Sequence, residues 1–83
     1  MRSIAFSHEA AKELDALDTT VRLRVDAALD LLAADPLALR GQIKRLKGDT
    51  FLRLRIGDWR IIFDLEPQRI IVLAIGHRSD IYR

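Results

Sequence analysis

Apolar residues near the N-terminus first alternate and then recur at helical spacing. The stretch RSIAFS places Ile4 and Phe6 on one face, which predicts a short strand. Ser7 is a suitable N-cap, because its hydroxyl can accept a hydrogen bond from a free amide of the first turn, and Glu9 suits the positive end of the helix dipole. The apolar residues of this one-sided first helix are Ala10, Leu14 and Leu17.

A second and longer helix is predicted between Asp18 or Thr19, which are plausible caps, and Pro36, which forbids continuation. Its apolar residues form two stripes. The first consists of Val21, Val25, Ala28, Leu29 and Leu32, and the second, named here the outer stripe, of Leu23, Ala27, Leu31 and Ala34. This wide apolar face has two interpretations. Either the helix contacts both the sheet and a partner chain, or it lies deep between the first helix and the sheet.

Beyond the segment DPLALRGQ, which we interpret as a loop, the apolar period changes from that of a helix to that of a strand. A two-residue turn at Gly57 and Asp58 and a longer turn containing Pro67 separate the last strands. The predicted strands lie at about 43 to 47, 51 to 56, 59 to 65 and 69 to 76. The order βααββββ predicts an α+β domain over residues 1–83, a mainly antiparallel twisted sheet with the two N-terminal helices packed on one face.

The Gly57-Asp58 turn also predicts a register for its hairpin. If these two residues form the loop, Arg55 pairs with Arg60, and directly paired residues share a face. The face toward the helices then carries Leu52, Leu54, Ile56, Trp59, Ile61 and Phe63. The opposite face, named here the arginine face, carries Phe51, Arg53, Arg55, Arg60, Ile62 and Asp64.

Like charges directly opposite one another destabilise a hairpin, so the paired arginines need compensation. One interpretation is that Asp58 and Asp64 pair with them, or that water screens an exposed sheet face. The other is a phosphate site, because guanidinium groups offer fixed, bidentate donors to phosphate oxygens.

The last strand can bring further polar residues to the arginine face. We pair Leu65 with Ile70 across the turn. In this register Ile70, Val72 and Ala74 point to the core. The residues that point to the arginine face are Ile71, Leu73, Ile75 and His77. A slip of one residue would turn His77 inward. With this register, the terminal segment HRSDIYR emerges at the edge of the arginine face.

Net charge and amino-acid composition limit the partners, metal sites and cellular locations that this chain can have. Residues 1–40 hold five Lys/Arg and seven Asp/Glu, a net charge of −2, whereas residues 41–83 hold nine and five, a net charge of +4. The basic C-terminal half makes nucleic acid the first partner to consider. Zero cysteines exclude disulfides and thiolate metal sites, and two histidines make a structural zinc site improbable. With no apolar run of roughly 18 residues and no secretion signal, we expect a cytoplasmic protein.

Several motifs are similar to those of one known family. RLKG before a strand, LRLRIGDWRIIF across a hairpin, IGHRSDIYR after the last strand and the opening IAFSHEAAKELDALD resemble the RelE group of the RelE/ParE toxin superfamily. The resemblance covers essentially the whole chain and implies a RelE-like fold. It also implies a toxin of a type II toxin–antitoxin system that cleaves messenger RNA on the ribosome, using the RNA's own 2′-hydroxyl and no metal or other cofactor. The implied partners are a RelB-like cognate antitoxin, the ribosome with its mRNA and, through the toxin–antitoxin complex, operator DNA.

The resemblance further implies which residues form the site. Arg60 and Arg78 would clamp the phosphate, and Tyr82 would stack on a base or orient the 2′-hydroxyl. Where some members carry lysines, one of them a general base, this chain has Arg53 and Arg55, and arginine is a poor base.

His77 is therefore a candidate for proton transfer, because its ordinary pKa suits acid–base chemistry near neutral pH. Lys44 and Lys47 could serve as the base only if the site extends to the preceding strand. Ser79 and Asp80 are interpreted as local structure of the tail. The predicted contacts to the RNA backbone are Lys44, Arg45, Lys47 and Arg83.

Two other functions stay open on the same fold. A ParE-like toxin would inhibit DNA gyrase without catalysis, although ParE-type chains generally lack the combination of Arg60 with a complete His-Arg-(x)3-Tyr tail. A degenerate toxin would only bind its antitoxin.

Overall fold

The computed structural model describes residues 1–46, 48 and 50–81. The strands are β1 (Ser3–Phe6), β2 (Ile43–Arg45), β3 (Leu52–Ile56), β4 (Trp59–Leu65) and β5 (Arg69–His77), and the α-helices are α1 (His8–Ala16) and α2 (Thr19–Ala34). This order confirms the predicted α+β class.

The segment between α2 and β2 differs from the prediction. Instead of a loop, Pro36–Gln42 forms a 3₁₀ helix. The N–H of Ala38 donates to the carbonyl of Asp35 at 3.1 Å. Proline at the first position has the φ that such a turn needs and no N–H to leave unpaired, so Pro36 both ends α2 and begins the next helix.

The five strands form one sheet in the order β1-β5-β4-β3-β2. The pairs β2–β3, β3–β4 and β4–β5 are antiparallel, and only β1 runs parallel to its neighbour β5. The parallel pair follows from the two helices, which carry the chain from β1 across the sheet before the hairpins begin.

Both α-helices begin at the residues that the sequence predicted as caps. The amide of Ala10 donates to Ser7 Oγ at 3.1 Å, and the amide of Val21 donates to Asp18 Oδ1 at 3.0 Å. Each bond satisfies an amide that the first turn of a helix leaves unpaired, which is worth about 1 kcal/mol.

The core lies between the helices and one face of the sheet. Its fully or almost fully buried side chains are Ala10, Leu14, Val25, Leu29, Leu32, Ala33, Leu54, Ile61, Phe63, Ile70, Val72 and Ile75. The outer stripe of α2 points away from this core, with Leu23 64% and Leu31 43% exposed. These exposed leucines contradict the interpretation in which α2 lies deep between the first helix and the sheet. No helix in the described part of the chain is long and apolar enough to span a membrane.

The β3–β4 hairpin has the predicted register. Leu54 pairs with Ile61, Arg55 with Arg60, and the strands join through Gly57 and Asp58. Gly57 has a φ of +57°, and no residue other than glycine has a positive φ in the described chain, so the turn matches a type II′ turn with glycine first.

The predicted register of β5 holds only as far as Val72. Phe63 pairs with Val72 but Ile62 pairs with Ala74, so Leu73 is the extra residue of a β-bulge. Beyond it every pairing is displaced by one residue. Ala74 shares the face of Ile62, and Ile75 is 2% exposed in the core, contrary to the prediction for both.

Contacts with the first helix account for the bulge. Ser7 binds two successive carbonyls of β5, Val72 through its N–H at 2.8 Å and Leu73 through its hydroxyl at 3.0 Å. Two neighbouring carbonyls can face the same side only if the strand is not regular. The amide of Ile75 then donates to Glu13 Oε1 at 3.1 Å, where the edge of β5 extends past the end of β1.

Candidate functional site

A cleft of about 500 Å³ opens on the arginine face of the sheet. It lies where β2, β3, β4 and the segment after β5 come together. Its lining residues are Gly41, Gln42, Lys44, Arg53, Arg55, Arg60, His77, Arg78 and Ser79. No Asp or Glu is among these described residues, so the cleft is suited to an anionic ligand.

Strand pairing places four cations of the cleft in two cross-strand pairs. Arg55 lies directly opposite Arg60, and Lys44 lies directly opposite Arg53. Asp58 and Asp64 do not form an ion pair with Arg55 or Arg60 in the described part of the chain. The interpretation in which these two aspartates neutralise the paired arginines is therefore wrong, and the repulsion is left for solvent or a ligand to offset.

Arg60 is held by the backbone of its own turn. Its Nη1 donates to the carbonyls of Gly57 at 2.8 Å and Trp59 at 2.9 Å. These two bonds use one nitrogen of the guanidinium, so donors on Nε and Nη2 are left for a ligand. The side chain is half-buried, which restricts the positions it can take.

Arg69, outside the cleft, is an example of an arginine whose charge is compensated by a carboxylate. Its Nε donates to Glu66 Oε1 at 2.6 Å, and this hydrogen bond together with the charge of Glu66 raises the pKa of the guanidinium above its ordinary value. Arg55 has no comparable partner in the described part of the chain.

The segment after β5 folds back as a turn and presents Arg78 to the hairpin. The amides of Asp80 and Ile81 both donate to the carbonyl of His77, at 2.9 and 3.1 Å. Arg78 donates its N–H to the Asp58 carbonyl at 2.8 Å, and its Nε lies 3.5 Å from Asp58 Oδ1. Both side chains are more than 60% exposed, so this ion pair contributes little stability and can yield to a ligand.

His77 lines the cleft, but its position in the sheet differs from the predicted one. Because of the bulge it pairs with Trp59, on the other face of β4, and its ring stands edge-on to the indole with centroids 5.5 Å apart. The Oγ and N–H of Ser79 both lie at His77 Nδ1, at 2.8 and 3.2 Å. Nε2 is therefore the ring nitrogen left for a ligand.

Of the predicted site residues, the structure gathers Lys44, Arg53, Arg55, Arg60, His77 and Arg78 around the cleft. Arg45 is not among the lining residues, because it pairs with Leu52 and so faces away from Lys44. Lys47, Tyr82 and Arg83 lie outside the described residues.

Sequence reasoning missed two polar residues near the cleft, Gln42 and Arg24, and interpreted a third, Ser79, only as local structure of the tail. Gln42 ends the 3₁₀ helix, Ser79 holds the His77 ring, and Arg24 of α2 extends to the hairpin turn, where a Cβ on Gly57 would lie 2.7 Å from its Nη2. The sequence has one weak signal for Arg24: Arg22 has acidic neighbours at helical spacing on both sides, Asp18 and Asp26, and Arg24 has none.

Comparison with known proteins gives a family match over nearly the whole chain. The family described as "ParE toxin of type II toxin-antitoxin system, parDE" matches residues 4–82. No curated protein matches the chain in sequence.

Solved structures share the fold. The toxin–antitoxin complex RelB-RelE from Methanococcus jannaschii contains a chain 26% identical to this one, with 94% of each chain covered and a TM-score of 0.75. The archaeal RelE-RelB complex from Pyrococcus horikoshii gives 21% identity, 95% and 97% coverage and a TM-score of 0.78. YafQ from Escherichia coli gives 16% identity, complete coverage of both chains and a TM-score of 0.81. Because the Pyrococcus horikoshii and Escherichia coli chains are only 21% and 16% identical to this one, they show a shared fold and nothing more.

Proposed function

The chain belongs to the family of ParE toxins of type II toxin–antitoxin systems and has the RelE-like fold, and we propose that it is a ribosome-dependent endoribonuclease that cleaves messenger RNA. One observation carries this proposal. Cations of β2, β3, β4 and the tail converge on one cleft that has no carboxylate among its described lining residues, and an imidazole joins them there. The whole chain, residues 1–83, would act as one toxin domain in the cytoplasm, where ribosomes translate.

In the proposed reaction, the 2′-oxygen of a ribose attacks the adjacent phosphorus. An O2′–P bond forms, the P–O5′ bond breaks, and the products are a 2′,3′-cyclic phosphate and a 5′-hydroxyl. Negative charge grows on the phosphate oxygens during the attack. Arg60 and Arg78 would bind those oxygens, with Arg53 and Arg55 adding positive charge in a partly enclosed cleft.

Two protons must move in this reaction. In the tautomer of His77 whose Nδ1–H donates a hydrogen bond to Ser79 Oγ, 2.8 Å away, the lone pair of Nε2 is free, and we assign removal of the 2′-hydroxyl proton to Nε2 of that tautomer. The ammonium of Lys44 lines the same cleft and can give a proton to the departing 5′-oxygen. An arginine can do neither, because it keeps its proton at any relevant pH.

Three residues outside the described ones keep the roles that the resemblance implies. Tyr82 is proposed to stack on a base or to orient the 2′-hydroxyl, and Lys47 and Arg83 to bind backbone phosphates. Arg45, on the other face, is proposed to contact ribosomal or messenger RNA rather than the scissile phosphate.

An antitoxin is the proposed protein partner, as in the solved complexes of RelE with RelB. The outer stripe of α2 is a suitable contact, because its exposed leucines would gain about 25 cal/mol per Å² of apolar surface when covered. Through such a complex the toxin would also reach operator DNA.

The test is brief expression in growing cells followed by mapping of messenger 5′-ends. We expect new ends within translated codons, and at least a hundredfold loss of cleavage for Arg60→Ala, the scale found when one preorganised donor to a developing charge is removed. Arg69→Ala is the matched control, because it also removes one arginine of the sheet but lies outside the cleft and loses only an exposed ion pair.

A second candidate function is favoured by the description of the matching family, which names ParE. A non-catalytic toxin acting on DNA gyrase would arrest growth with intact messages and with relaxed or broken DNA. Intact messages and normal DNA, with the antitoxin still bound by the purified chain, would instead indicate a degenerate toxin. Either outcome would contradict the ribonuclease.

A further inference from the structure

Three arginines from distant parts of the chain meet at the turn of the β3–β4 hairpin. Arg24 comes from α2, and its Nη2 lies 2.7 Å from the position that a Cβ on Gly57 would occupy. Arg60 donates to the carbonyl of Gly57, and Arg78 binds the backbone and carboxylate of Asp58. Glycine at position 57 thus provides both the positive φ of the turn and the room for the Arg24 guanidinium.

The charge of this cluster is only partly compensated. Among the described residues, Asp58 is the carboxylate that forms an ion pair with the cluster, and its partner is Arg78. On α2, Arg22 is paired with Asp15 at 3.3 Å and Asp26 at 3.8 Å, whereas Arg24 forms no ion pair in the described part of the chain. A guanidinium that lies near two others without a carboxylate of its own is suited to binding an anion.

A second cleft adjoins this cluster. Its volume is about 650 Å³, and it shares with the first cleft Gln42, Arg55, Arg60 and Arg78. Arg24 lines only the second one, as does Asp58, the ion-pair partner of Arg78. Apolar side chains of α2, the 3₁₀ helix and β3 complete it, namely Ala28, Leu39, Leu54 and Ile56. A nucleotide has the same two halves, an anionic phosphate and an apolar base face, and the volume is within the usual range for a small ligand.

We propose that this second cleft binds a nucleotide of the RNA next to the scissile phosphate, with Arg24 on its phosphate and its base against Leu39 and Ile56. The inference rests on the proposed function, because the shared arginines can serve two neighbouring phosphates only if the ligand is a polynucleotide. Arg24 is then a binding residue of the substrate and takes no part in proton transfer.

The experiment measures binding of the full chain to a short single-stranded RNA with 2′-deoxy substitutions, which prevent cleavage. Arg24→Gln is compared with Arg22→Gln, a matched loss of one arginine two residues away on the same helix. We expect about tenfold weaker binding for Arg24→Gln and a salt slope smaller by about 0.7, the value for one phosphate contact on a single strand. Arg22→Gln should change neither, and thermal unfolding of each variant checks the fold.

A second set of RNAs locates the contact. Each carries a neutral methylphosphonate at one backbone position. At one position next to the deoxy site, the substitution should weaken binding of the unmodified chain about tenfold and leave Arg24→Gln unaffected, because the contact is already missing. Arg24→Lys should recover part of the affinity, since it retains the charge but not the planar donors.

Several results would overturn the subsite. These are an unmodified chain that shows no salt-sensitive binding to RNA, equal losses for Arg24→Gln and Arg22→Gln, or equal effects of every methylphosphonate on both proteins. Loss of antitoxin binding by Arg24→Gln with unchanged RNA binding would reassign the arginine to an acidic peptide. Arg24-dependent RNA binding without cleavage in cells would leave the subsite standing and reject the ribonuclease, so the two failures are distinguishable.

Discussion

The β3–β4 hairpin and strand β5 both deliver residues to the cleft, but their registers have different origins. In the hairpin, two residues connect the strands, and Gly57 has the positive φ that this turn requires. In β5, the register changes at Leu73 and is held there by Ser7 and Glu13, which are 66 and 62 residues away from their partners in the chain. The register of the hairpin is therefore set by a local turn, and the register of β5 by tertiary contacts.

The difference matters for the shape of the cleft. Because of the bulge, Gly76 lies opposite Arg60 and Ile75 is buried. A regular strand would instead put Ile75 opposite Arg60, where its side chain would cover the guanidinium, and would pair His77 with Asp58. A contact made by α1 at the far edge of β5 therefore determines which side chain stands beside the proposed phosphate clamp.

The largest effect is expected from removing the carboxylate that holds β5 beyond the bulge. Glu13→Ala leaves the Ile75 amide without its partner in a half-buried place, which should lower the free energy of unfolding by about 2 kcal/mol. Urea unfolding measures the loss. Hydrogen exchange should show faster exchange of the Ile75 amide than in the unmodified chain while the Ile61 amide of the hairpin stays protected.

Glu13→Gln is the control for this experiment, since its amide oxygen can still accept the hydrogen bond. It should cost less than about 0.5 kcal/mol. Equal losses for the two variants, or an Ile75 amide that exchanges no faster in Glu13→Ala, would show that Glu13 does not hold the strand.

The next effect is expected from the hairpin itself. Gly57→Ala forces a side chain into a backbone conformation with a φ of +57°, which should lower the free energy of unfolding by about 1–2 kcal/mol. The added methyl group also displaces the end of Arg24. Thermal unfolding measures the change against Gly41→Ala, which has open space around its new Cβ and should stay within about 0.5 kcal/mol of the unmodified chain. A Gly57→Ala variant as stable as that control would contradict a register set by the turn.

The smallest effect separates the two roles of Ser7. Ser7→Asp keeps an N-cap acceptor for the Ala10 amide but removes the donor to the Leu73 carbonyl, so the bulge should lose about 1 kcal/mol while α1 keeps its cap. Ser7→Thr retains both groups and should be nearly neutral. Unfolding free energies of the two variants, with circular dichroism for the helix, make the comparison. If Ser7→Asp is no less stable than Ser7→Thr, the Leu73 bond contributes nothing.

The parts of the fold that could be predicted depend on contacts between near neighbours. Ser7 and Asp18 cap helices within three residues of themselves, and the Gly57-Asp58 turn sets the register of the strands it joins. The 3₁₀ helix was missed because its apolar residues show no clear period over seven positions. The bulge was missed because nothing in IIVLAI distinguishes an extra residue from a regular strand.

Prediction of the candidate site was partial for the same reason. Once the hairpin register was known, Arg53, Arg55 and Arg60 necessarily shared a face, and the motif in the tail marked Arg78 and His77. The route of His77 to the cleft was mispredicted, since it depends on the bulge. Arg24 was not found, because its position depends on how α2 packs across the sheet against the hairpin turn.

By itself, the sequence determined the element order, the helix caps, the core face of the hairpin and the row of arginines opposite it, because each follows from periodicity or from a turn of a few residues. The tertiary structure alone decided the bulge at Leu73, the glycine beside Arg60 and the meeting of Arg24, Arg60 and Arg78 at one turn. Those features need groups from opposite ends of the chain to satisfy one another's hydrogen bonds and charges, and such contacts exist only after the core has formed.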